Sequence, residues 1–197
     1  IIISKGSLTN INRNTLAAEA KRFLDLVSHL PQPRIAINIG GSSKRAVIDK
    51  LSAEKIVDKL TLLAKGNDCG LMVTTSRRTD ETIKYQLRKL SEKQNVLVYG
   101  GVGPNPYMGF LGLADTIIVT SDSINMISEA CSTGKPVYII TLGKNNKRKQ
   151  SFLDTMQQEG RTRPFDGHLN NWTYEALNET ERVAAIIREK LAVNNII

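Results

Sequence analysis

Cysteine, histidine and aromatic residues are scarce in this 197-residue chain, and each scarcity excludes a class of protein. Cys69 and Cys131 have no second cysteine or histidine at metal-ligand spacing, which argues against a disulfide framework and a zinc centre. Aromatic residues make up 5% of the chain, and no basic segment alternates with the stacking residues of a nucleic-acid surface. We therefore expect no bound metal ion and no nucleic-acid partner.

Long apolar runs are also missing. No stretch approaches the roughly 20 apolar residues that cross a bilayer, and the start lacks the regions of a secretory signal, so we expect a cytoplasmic protein. The chain begins with Ile1 rather than methionine, and we expect it to be the C-terminal part of a longer polypeptide. Its length suits one main domain. We place that domain at residues 34–197, after a lead-in segment and linker at 1–33.

From Arg34 onward, apolar strand-like segments alternate with helical ones. Strands are predicted over residues 34–39, 71–75, 96–99, 116–120 and 136–141. Helices are predicted over residues 16–30 and 152–156, and three more begin after the caps Ser52, Asp80 and Ser123. A last helix begins after Asn178, and its inward-facing residues are Val183, Ile186, Ile187 and Leu191. This alternation predicts a Rossmann-like α/β fold, a doubly wound parallel sheet with helices on both faces.

Ligands of such sheets bind beyond the carboxyl ends of the strands, so the loops there are the candidate site. The first loop offers backbone amides without a Cβ atom and two hydroxyls for a phosphate: Gly40, Gly41, Ser42 and Ser43. A structural turn explains it equally well, because neither the Walker pattern nor a full GxGxxG is present. The second loop places hydroxyls and two guanidiniums at a helix start: Thr75, Ser76, Arg77 and Arg78. Arg77 is the first choice for a phosphate contact, and a pair of surface arginines is the alternative.

Two further loops complete the predicted edge. Asn105 and Tyr107 stand in a glycine- and proline-rich segment that would form a wall for a base or an acceptor, or a simple connector. Ser121, Asp122 and Ser123 begin a helix that carries Glu129. A carboxylate at Glu129 would accept the hydroxyls of a ribose, although spacing alone allows a solvated glutamate equally.

The net charge of +8 is compatible with anionic ligands. One basic run contains Lys144, Lys147, Arg148 and Lys149. A solvated loop is the favoured interpretation of this run, and a phosphate contact or a peripheral membrane contact is the alternative.

The motifs at the strand ends, together with Ala114-Asp115, Met126, Glu129-Ala130 and 134–137, resemble the "elongated mitochondria" family of mitochondrial fission. Residues 121–136 are also similar to the C-terminal, donor-binding domain of GT-B glycosyltransferases. The resemblance implies that Glu129 holds the donor ribose and that Met126 belongs to the nucleotide site. It further implies a nucleotide-sugar substrate such as a UDP-sugar, no cofactor, and a catalytic base in the N-terminal half.

The resemblance leaves two functions open. One is a metal-independent glycosyltransferase, since no DxD-type pair is evident. The other is a non-catalytic scaffold that recruits a protein partner, because plant members of the family are implicated in bringing a dynamin-related protein to mitochondria. A nucleotide-sugar epimerase is a weaker third, because the sequence has no complete GxGxxG.

Overall fold

The computed structural model describes residues 1–41, 50–66, 69–143 and 145–193. The strands are β1 (Arg34–Ile39), β2 (Gly70–Thr75), β3 (Val96–Val98), β4 (Thr116–Thr120), β5 (Val137–Ile140) and β6 (Thr162–Pro164). The helices are α1 (Arg13–Phe23), α2 (Lys50–Gly66), α3 (Glu81–Leu90), α4 (Tyr107–Leu113), α5 (Ile124–Cys131), α6 (Lys147–Gln158) and α7 (Glu179–Val193).

The six strands form one sheet in the order β3-β2-β1-β4-β5-β6, and each neighbouring pair is parallel. The chain order reverses between β1 and β4, which lie side by side at the centre. Such a reversal opens a crevice at the carboxyl edge of the sheet, where loops diverge to opposite faces. The predicted doubly wound parallel sheet is confirmed.

Both faces of the sheet are covered. Alternate residues of β1 point to opposite sides, as the two-residue period of a strand requires. Ile35, Ile37 and Ile39 pack with α2 and α3, whereas Ala36 packs in a second core with α4, α5 and α6. Because β1 is buried on both sides, its residues from Ile35 to Ile39 are apolar except for Asn38.

Several predicted boundaries are wrong. The lead-in helix ends at Phe23 and is followed by a 3-10 turn, whereas it was predicted to continue to residue 30. Helix α2 already includes Lys50, which places Ser52 inside the helix and not at its cap. Helix α4 and strand β6 were not predicted, because each is short and lies in a segment rich in turn residues.

The lead-in region packs on the main fold. Helix α1 contacts α4 closely, where a Cβ atom on Gly112 would lie 2.6 Å from the carbonyl oxygen of Leu16. Farther upstream, Ser7 donates its backbone N–H to the hydroxyl of Ser128 on α5 at 3.0 Å. The boundary at residue 33 stays a prediction.

Helix α7 differs from its prediction. Asn178 accepts the backbone N–H of Glu181, as its capping role requires. The expected inward stripe is only partly covered, since Ile187 is 44% exposed and Val183 and Ile186 are half-buried.

The basic run is not a single solvated loop. Lys147, Arg148 and Lys149 form the first turn of α6, which begins well before the predicted residue 152 and is capped by Asn146. Lys149 is 9% exposed, whereas Lys147 and Arg148 are exposed. Lys144 lies outside the described residues, and membrane contact stays a prediction.

Candidate functional site

The carboxyl ends of β1, β2 and β4 place three of the predicted loops along one edge. Ile39 pairs with Thr75, and Asn38 pairs with Val119, so the residues that follow each strand are neighbours in space. Gly40 and Gly41 belong to the described part of the first loop, whereas Ser42 and Ser43 lie outside it. The sequence therefore predicted correctly which segments meet at this edge.

Asp122 joins the first loop to the end of β4. Its Oδ2 accepts the backbone N–H of Gly41 at 3.1 Å, and its Oδ1 accepts the hydroxyl of Thr120 at 2.6 Å. Thr120 in turn accepts the N–H of Gly40 at 2.8 Å. A Cβ atom at Gly40 would lie 1.9 Å from Asp122 Oδ2, so the close approach of this carboxylate requires a glycine. The described half of the loop thus has a structural role.

The turn after β2 closes over the same loop. Thr79 donates its buried hydroxyl to the carbonyl oxygen of Gly40 at 2.7 Å, and it accepts the N–H of Ser76 at 2.9 Å. A Cβ atom at Gly41 would lie 2.1 Å from the backbone of Arg78, which cannot move aside as a side chain does. The arginines themselves, Arg77 and Arg78, are both exposed.

The serines at the start of α5 serve the fold. Ser121 is fully buried, and its hydroxyl oxygen accepts the N–H of Leu142 at 2.9 Å. Ser123 is the N-cap of α5 and accepts the N–H of Met126 at 3.3 Å. Their predicted contact with a nucleotide stays a prediction, as does that of Met126.

Glu129 lies on α5 beside the third loop. Its Oε2 accepts the hydroxyl of Tyr107 at 2.5 Å, and the backbone N–H of Tyr107 donates to Asn105 Oδ1 at 3.0 Å. Burial is the main reason that the pKa of Tyr107 is raised far above its usual range, and the charge of Glu129 adds to it. Tyr107 therefore remains a neutral donor that holds a half-exposed carboxylate, a group suited to accept sugar hydroxyls.

A cavity of about 380 Å³ opens between α3 and the segments that follow β2 and β3. It is lined by Thr75, Ser76, Arg77, Glu81, Lys84, Arg88, Val98, Tyr99, Gly100, Gly101 and Asn105. Four of the predicted site residues meet here: Thr75, Ser76, Arg77 and Asn105. The lining does not include Arg78, Gly40, Gly41, Asp122 or Glu129.

The predicted site is thus divided. Helix α3 packs on the Ile35 face, whereas Tyr107 and α5 pack on the Ala36 face. Lys84 and Arg88 of the cavity were not predicted, although their separation of four residues would place them on one face of a helix.

Among the described residues, no three histidine, cysteine, aspartate or glutamate side chains are grouped as a metal site requires. Across the same ranges, no helix has the length and apolarity needed to span a membrane.

The sheet order and the helices on both faces define the class of protein: a Rossmann-like α/β domain. Within that class, the chain belongs to the mitochondrial fission ELM1 family, whose model matches residues 1–191. The resemblance in its motifs is therefore confirmed.

Two relatives support this assignment. The mitochondrial fission protein ELM1 of Arabidopsis thaliana is 32% identical over 198 residues, covering 98% of this chain and 46% of that protein. An uncharacterised protein of Rickettsia prowazekii, RP120, is 31% identical over 204 residues, covering 98% of this chain and 56% of that protein. The chain spans about half the length of these relatives.

A solved structure shares the fold. The UDP-GlcNAc 2-epimerase of Methanocaldococcus jannaschii superposes with a TM-score of 0.57 at 17% identity, over 90% of this chain and 50% of that one. At this identity, the similarity concerns the fold alone.

Proposed function

We propose that this chain is the nucleotide-sugar-binding half of a GT-B-like protein that transfers a glycosyl group when its N-terminal half is present. The observation that carries the proposal is the placement of Glu129, a half-exposed carboxylate near the carboxyl edge of the sheet that is held by Tyr107. A UDP-sugar is the first candidate donor, because the structural neighbour is named for UDP-GlcNAc.

Each role in the transfer has a candidate group. Glu129 accepts the ribose hydroxyls, and the segment of Asn105 and Tyr107 lies against the base. The backbone N–H groups at the start of α5 stabilise the negative charge that develops on the departing diphosphate, an interaction that strengthens in the transition state. A base outside this chain removes the proton from the acceptor hydroxyl.

One observation favours the second candidate, a non-catalytic scaffold for a protein partner. The N–H of Gly41 already donates to Asp122, so a carboxylate occupies a donor that a phosphate would use. The Arabidopsis relative is named for mitochondrial fission and not for an enzymatic reaction. Under this alternative, the edge would be a rigid platform without affinity for nucleotides.

Calorimetric titration with UDP, GDP, CMP, ADP and their common sugar conjugates separates the two candidates. We expect saturable binding of one nucleotide that is lost in Glu129→Ala and kept in Glu189→Ala, an exposed glutamate on α7. Binding that survives Glu129→Ala would reject the ribose assignment. An absence of binding across the panel would favour the scaffold. Incubation of the whole protein with UDP-GlcNAc, followed by product analysis, tests transfer against epimerisation.

A further inference from the structure

The cavity beside α3 is strongly cationic. Lys84 and Arg88 lie one helical turn apart on α3, and Arg77 reaches the same space from the loop after β2. The volume of about 380 Å³ is within the range of small-ligand sites. Guanidinium groups bind phosphate oxygens in pairs, and an ammonium group adds a compact charge.

Glu81 is the only acidic residue of this lining. Its Oε1 lies 2.7 Å from Lys84 Nζ, and its Oε2 lies 3.4 Å from Arg88 Nη2. These cations lower the pKa of Glu81, chiefly through the hydrogen bond from Lys84, so the carboxylate is charged at neutral pH. One carboxylate faces three cations, which leaves the cavity with an excess of positive charge.

The ion pairs of Glu81 hold its side chain only weakly. Its side chain is 75% exposed, and solvent-exposed ion pairs of this kind contribute little to stability. An anion of higher charge can therefore displace the carboxylate, which then turns toward solvent.

Part of the lining carries no charge. Val98, Tyr99, Gly100 and Gly101 belong to this part. The hydroxyl of Tyr99 donates to the carbonyl oxygen of Gly103 at 2.8 Å, which holds the loop in a turn. A ligand here would present its anionic end to α3 and its apolar part to Tyr99.

We propose that this cavity is an anion-binding site that takes the phosphate or diphosphate group of a second ligand and is separate from the nucleotide position at Glu129. Glu81 is its internal counter-ion. The separation follows from the fold, because α3 and α5 cover opposite faces of the sheet.

Calorimetric titration with inorganic pyrophosphate tests the site. We expect the double substitution Lys84→Ala and Arg88→Ala to weaken binding by about tenfold or more, since it removes two charge-assisted contacts. Lys89→Ala is the matched control, because Lys89 is also exposed on α3 but is absent from the cavity lining. Binding should weaken as ionic strength rises, since salt screens these exposed cations.

Glu81→Gln gives the sharper test. If Glu81 competes with the ligand, this substitution tightens pyrophosphate binding, whereas a merely structural glutamate would not. Glu129→Ala should leave pyrophosphate binding unchanged. Loss of binding in Glu129→Ala, equal loss in Lys89→Ala, weaker binding in Glu81→Gln, or no pyrophosphate binding by the wild-type chain would each overturn the proposal.

Discussion

The contact between Gly40 and Asp122 gives a prediction whose size follows from the structure. In Gly40→Ala, the new Cβ atom would lie 1.9 Å from Asp122 Oδ2, so the carboxylate must move. It then loses its hydrogen bonds from Gly41 and Thr120. Because hydrogen bonds to charged groups contribute about 1.5–3 kcal/mol each when buried, and Asp122 is half-buried, we expect a loss of about 2–4 kcal/mol.

Asp122→Ala removes the same two hydrogen bonds and should cost a similar amount. The double variant should be about as stable as either single variant, since the alanine at position 40 then meets no carboxylate. Urea unfolding of the four proteins measures this coupling, and thermal unfolding should show losses of about 5–15 °C in each single variant. Gly100→Ala is the control, because its Cβ atom would meet nothing within 4 Å. If the losses of the two single variants add in the double variant to within about 0.5 kcal/mol, the carboxylate and the glycine are not coupled and the prediction is wrong.

Three further predictions concern the packing and the charges. Gly112→Ala should destabilise the chain and expose α1 to limited proteolysis, because its Cβ atom would lie 2.6 Å from the carbonyl oxygen of Leu16; unchanged digestion would contradict this. Burial lowers the pKa of Lys135 from 10.5 to about 8, so unfolding takes up a proton between these pH values. The free energy of unfolding of the wild-type chain, relative to Lys135→Met, should therefore rise from pH 8 to pH 10.5 by up to about 3 kcal/mol. Urea unfolding at both ends of that range checks the sign, and a flat difference would exclude it. Tyr107→Phe should weaken nucleotide binding by about three- to tenfold, less than Glu129→Ala, because the carboxylate remains but loses the hydroxyl that holds it. Calorimetry with the same nucleotide compares the two variants. Equal affinity of the wild-type chain and Tyr107→Phe would contradict the positioning role of Tyr107.

The periodicity of the apolar residues was sufficient to predict the main helices and strands of the fold. Strand β4, for example, has the predicted bounds, because an apolar β-branched segment between polar turns has few alternatives. Asp80 and Ser123 are helix caps as predicted, since side-chain capping is a local interaction. Local signals of this kind need no knowledge of the remaining structure.

The exposure of α7 and the division of the site depend on distant contacts, which a single sequence does not reveal. Ile187 has the spacing of a buried residue, yet nothing in the described chain covers it fully. Asp122 looked like a ligand residue, whereas its carboxylate accepts the backbone N–H of Gly41, 81 positions earlier. Arg77 and Glu129 both follow strand ends, but right-handed crossovers carry their helices to opposite faces.

Calorimetry on the 197-residue chain measures the role of Glu129 in nucleotide binding. We expect one nucleotide to bind saturably to the wild-type chain and to Glu189→Ala, and Glu129→Ala to abolish this binding. Unchanged affinity in Glu129→Ala, or no binding of any nucleotide to the wild-type chain, would contradict this role.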